Sequence, residues 1–193
     1  VRSPYPCLHF ESPDLNIQNP DIGYFLSTQV ISQPDYTGSM THEEALEPID
    51  SAIWEMSEAF QGLQDADVWV RPHHNLLGIG ELAAHVAYGE IRWMHPELES
   101  PFNREDVSYY FHSVNKPLGL PMSAKEVYEE VKRVHEACKR HILETRPDLN
   151  AKLPQREDWT WGYTLQYMAF HVAYHTGQMY SVRHLMGHET ADN

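Results

Sequence analysis

The chain has 193 residues and a mass of 22.4 kDa, room for one domain with a core of its own and too little for two of ordinary size. Its 41% hydrophobic and 22% charged content is that of a globular protein, and a formal charge of −14 repels phosphate backbones and anionic lipid headgroups, so neither nucleic acid nor a membrane is an expected partner. No run approaches the roughly 20 apolar residues that span a bilayer; the N-terminus lacks a signal-peptide pattern and Cys7 and Cys138 make no disulfide framework, features that point to the cytoplasm.

Residues 1–39 are rich in proline (Pro4, Pro6, Pro13, Pro20, Pro34) and contain one strand-like run, 22–31. They read as an irregular N-terminal arm. Two accounts of it stand side by side: a segment upstream of a true start at Met40, or an arm laid over the rest of the protein. Residues 40–193 form the second unit.

From Met40 the period is helical. Thr41 and Glu44 make a capping box, and Ala45, Ile49, Ile53, Met56, Phe60 and Leu63 repeat at three and four residues, with Pro48 placing the start of the regular helix near itself. A second helix is predicted from about Gly78 to His95, stopped by Pro96. A connection of about 25 residues follows to Pro121, long enough to act as a crossover or a lid carrying Tyr109 to His112. Ser123 and Glu126 cap a third helix with the stripe Val127, Val131, Val134, Cys138 and Ile142, ended by Pro147. The fourth starts around Trp159 to Trp161 and runs to Gly187. No convincing strand separates these helices, so the predicted fold is an all-α four-helix bundle.

Histidine is the unusual residue, with 13 in the chain. His171 and His175 stand four apart on the last helix, the spacing that brings two imidazoles to one ion. Chance would supply roughly one such pair here, and His184 with His188 reads as an incidental one. The difference is His85, inside the apolar run Leu82-Ala-Ala-His-Val-Ala87 of the second helix. Three imidazoles on two core-facing stripes predict a divalent metal site, with zinc or nickel ahead of iron because no carboxylate shares the ligand spacing. Gln178, seven residues from His171, is a candidate to bind water or substrate, or is a solvated side chain. Glu81 is a candidate to orient His85, or a first-turn glutamate complementing the helix dipole. Tyr88 is the aromatic expected beside the metal, whereas Trp54, Trp93, Trp159 and Trp161 read as packing. The Glu-x-x-His pairs of di-iron bundles, the zincin motif and the Gly-x-Ser-x-Gly elbow are absent.

The pattern Gly-Glu81-Leu-Ala-Ala-His85-Val, joined to Trp161-Gly-Tyr-Thr-Leu and His171-x-x-x-His175-Thr-Gly177-Gln178, resembles the DinB-like (DinB/YfiT) metalloenzyme family over about residues 41 to 188. The resemblance implies an up-down-down-up bundle, a metal triad of His85, His171 and His175, and a homodimer. It also implies a small-molecule substrate and thiol-dependent S-transferase chemistry with a low-molecular-weight thiol as cosubstrate. Hydrolysis by an activated water is the other enzymatic reading. The alternative is a non-catalytic metal-binding stress-response protein, which clustering of His73, His74, His95 and His112 would suit.

Overall fold

The computed structural model describes residues 40–108 and 116–190. The expected N-terminal arm with its strand-like run, and the Tyr109 to His112 cluster, lie outside the described residues.

Four helices dominate: α1 (His42–Phe60), α2 (Ile79–Met94), α3 (Ala124–Thr145) and α4 (Trp161–Leu185). The first begins six residues before Pro48. Thr41 Oγ1 accepts from the Glu44 amide at 3.1 Å, and the Glu44 carboxylate accepts from the Thr41 amide at 2.8 Å. With the first turn closed in this way, the helix continues through Pro48 at the cost of one backbone donor. Ser123 and Glu126 build the same box at the start of α3. That helix ends where Arg146 takes a left-handed conformation, φ 42°, immediately before Pro147.

The expectation of no strand is corrected by a small antiparallel hairpin, β1 (Lys152–Leu153) and β2 (Arg156–Thr160), between α3 and α4. Two and five residues are too short to show a period in sequence. A 3-10 turn, Glu105–Val107, interrupts the long connection after α2.

Each helix packs on two others: α1 on α3 and α4, and α2 on α3 and α4. Contacts fix the directions. Glu55 meets Tyr180 and Ala59 meets Arg183, so α1 and α4 run parallel. Glu90 meets His135 and His95 stacks on His141, so α2 and α3 are parallel as well. His85 faces His175 while Trp93 faces Trp159, which sets α2 antiparallel to α4, and Asp50 with His135 and His42 with Pro147 set α1 antiparallel to α3. The bundle is therefore up-down-down-up, and the long connection after α2 is the crossover that lets α3 repeat its direction.

One polar bridge crosses the apolar core. His135 on α3 shares Nδ1 with Glu90 of α2 at 2.9 Å and Nε2 with Asp50 of α1 at 2.7 Å; Lys139 Nζ reaches the other Asp50 oxygen at 2.8 Å. Burial by itself would lower the pKa of His135, but the hydrogen bond and charge of Glu90, followed by those of Asp50, raise it to about 9. Both ring nitrogens then donate, and a buried imidazolium ties three helices together.

Candidate metal centre

The antiparallel pairing of α2 and α4 brings His85 opposite His171 and His175. Ring centroids lie 5.0 Å apart for His85 and His171, 4.7 Å for His85 and His175, and 4.5 Å for His171 and His175. One nitrogen from each ring falls within 4.8 Å of the other two, the sole such group of three or more metal-type side chains among the described residues. His85 Nε2 and His171 Nε2 are 3.1 Å apart.

The outward nitrogens are held from behind. His85 Nδ1 donates to the Val107 carbonyl at 2.9 Å, and His175 Nδ1 donates to Gln178 Oε1 at 2.7 Å. Each bond places the ring proton on Nδ1 and leaves the Nε2 lone pair free, the usual means by which a protein selects the tautomer of a metal ligand. His171 has no such support: its Nδ1 is buried without a hydrogen-bond partner. Its ring is positioned by packing, stacked at 5.8 Å on Tyr167 one turn earlier and resting on Gly89 of α2.

Burial, with His175 and His85 alongside, pushes His171 down to about 2. Burial and His85 push His175 down to about 4 against the bond to Gln178, and burial lowers His85 against the bond to Val107. All three are neutral at physiological pH, the protonation state a metal ion requires. Two ligands of a tetrahedral ion at about 2.0–2.1 Å stand about 3.3 Å apart, close to the separation of the two Nε2 atoms. The donor set, three neutral imidazoles converging with two tautomers already selected, fits a divalent ion with further coordination positions to spare.

The remaining candidates fall into different places. Gln178, half-buried, orients His175 and donates through Nε2 to Tyr174 Oη at 3.2 Å, so its amide is engaged with the protein. Glu81 does not orient His85. Its fully buried carboxylate accepts from Arg71 twice, from the Gly78 amide and from the Leu118 amide, each at 2.7 Å. It thereby fastens the connections on both sides of α2, because the buried Arg71 guanidinium offers a stronger partner than an imidazole one turn away. Tyr88 is buried in the core. His73 packs on His74 and His95 on His141, two separate pairs, while His188 bonds Asp67; His112 lies outside the described residues.

Gly89, the Val107 carbonyl and Tyr167 escaped the sequence reading. An isolated glycine inside a helical pattern is a signal that could have drawn attention to Gly89. A backbone carbonyl 22 residues away carries none.

A family model described as mycothiol-S-transferase matches residues 46–187, and the chain belongs to that family, which lies within the DinB/YfiT-like superfamily that its motifs resemble. Neither the curated proteins nor the solved structures contain a match.

Proposed function

We propose that this protein joins a low-molecular-weight thiol to an electrophilic small molecule at one divalent metal ion, zinc or nickel ahead of iron, held by His85, His171 and His175. The observation that carries the reading is the convergence of three neutral imidazoles with the outer nitrogens of two of them committed to Val107 and Gln178. An ion held there would supply Lewis acidity that lowers the pKa of a thiol. The residues keep the ligands neutral, fix the faces they present and bury them, while the thiol proton leaves to solvent, the sulfur lone pair forms the new bond and the displaced group departs with its electrons. Family membership supports a thiol over water as the nucleophile.

The same reading has the protein cytoplasmic and homodimeric; no described helix is long and apolar enough to cross a membrane.

Metal analysis of the purified protein and a His171→Ala variant, with conjugation of a generic electrophile to mycothiol, bacillithiol and glutathione, tests the proposal. Stoichiometric metal in the wild type, its loss in the variant and metal-dependent conjugation are expected. Equal, substoichiometric metal in both would overturn the metal centre. Bound metal without thiol conjugation or hydrolysis of activated esters would leave the non-catalytic metal-binding role.

A further inference from the structure

In a chain of net charge −14, α4 contains no aspartate, glutamate or lysine along its 25 residues. Its one arginine, Arg183, is buried and donates to the carbonyls of Ala59 and Gln61. The solvent side of this helix carries large apolar groups instead: Phe170 is 62%, Tyr174 53% and Leu185 63% exposed, with Ala173, Gly177 and Ser181 exposed between them and the polar Gln166 and His184 near the two ends. The steps from 170 to 174, 177, 181 and 185 follow the helical period, so these residues form one stripe about 22 Å long. The other outward surfaces differ. On α1 the exposed residues include Glu43, Glu44 and Glu47, and on α3 they include charges of both signs, Glu126, Glu129 and Glu136 beside Lys125, Arg133 and Arg140.

We infer that this stripe is the surface on which two copies of the chain meet, α4 against α4. Charge argues for a second copy there: two chains of this net charge repel overall and above all where the acidic α1 would face its counterpart, whereas α4 is a face to which neither brings a charge. A contact across a two-fold axis must be complementary to itself, which a largely apolar stripe without acidic or basic residues satisfies. Gly177 adds a geometric reason. A glycine within a helix costs about 1 kcal/mol relative to alanine, and nothing among the described residues comes within 4 Å of where its Cβ would stand, so no packing among them accounts for it. A neighbouring backbone approaching closely would. The contact also reaches the metal centre, because Tyr174 ends the hydrogen-bond chain through Gln178 to His175. A second copy would shield that chain from water.

The inference rests on the homodimer of the proposed reading and is independent of its metal chemistry. Light scattering on the full-length protein at micromolar concentration is expected to give twice 22.4 kDa. Ala173→Glu and Ala173→Lys should each be monomeric with unchanged helical content, and an equimolar mixture should return to the dimer mass. Trp54→Glu, at a site on α1 that is 68% exposed, should remain dimeric. A monomeric wild type overturns both the homodimer and this interface, including the case in which another part of the chain covers α4. Dimeric Ala173 variants, or a mixture that stays monomeric, overturn the interface alone.

Discussion

Gly89 of α2 lies directly against the ring of His171 on α4: a Cβ at position 89 would stand 3.1 Å from His171 Cε1 and 3.4 Å from Nδ1. The absence of a side chain on one helix thus sets the position of a candidate ligand on another. Gly89→Ala adds a good helix former, worth about 1 kcal/mol in an unstrained site, while forcing the imidazole to move by a few tenths of an ångström. The expected result is a metal-free protein that melts no lower than wild type and binds metal more weakly. Gly89→Val, with two further carbons, should abolish stoichiometric binding. Calorimetric titration of the stripped proteins with zinc, beside their melting curves, separates the two effects.

Gln178 acts on the metal centre from behind. Gln178→Ala removes the acceptor that keeps the His175 proton on Nδ1, and loss of such an outer partner typically weakens metal binding about 10- to 100-fold. Gln178→Glu keeps an acceptor and should retain most of the affinity. Tyr174→Phe, which removes only the end of the relay, should have a smaller effect than Gln178→Ala. Competition for zinc against a chromogenic chelator measures all three.

Glu81 and Arg71 form a buried pair whose side chains are 0% and 8% exposed. Removing one partner of such a pair strands the other charge and typically costs 3–5 kcal/mol. Glu81→Ala should therefore lower the melting temperature strongly. The double variant Glu81→Leu, Arg71→Met removes the stranded charge but leaves the Gly78 and Leu118 amides without their acceptor, so it should recover only part of the loss. Urea unfolding of the single and double variants checks this, and unchanged stability in Glu81→Ala would show that the pair does not hold the two connections.

The Asp50–His135–Glu90 bridge predicts a pH dependence. Folding raises His135 from the ordinary value near 6.5 to about 9. The folded state therefore holds the proton more tightly than the unfolded state. Its contribution is complete below pH 6.5 and is lost as the pH rises to 9, up to about 3 kcal/mol for the single group. His135→Gln should be less stable than wild type at pH 6 and nearly matched at pH 9.5. Urea midpoints at the two pH values test this; a constant difference would mean that the imidazole is already neutral in the fold.

The four helices were legible because helix formation is local. The apolar repeats of α1 and α3, the capping boxes at Thr41 and Ser123 and the prolines beyond α2 and α3 all act within a few residues of one another. The His171 and His175 pair was legible for the same reason, being one turn apart on one helix. That His85 faces them depends on α2 lying beside α4 and antiparallel to it, a consequence of the crossover after α2 and of how four apolar faces share one core. The partners of Gln178, Glu81 and His135 depend likewise on groups up to 85 residues away, or on which way an amide turns within one helical turn. Periodicity assigns a residue to a face, whereas burial and hydrogen bonding between elements decide what that face meets, and only the packed bundle specifies the second.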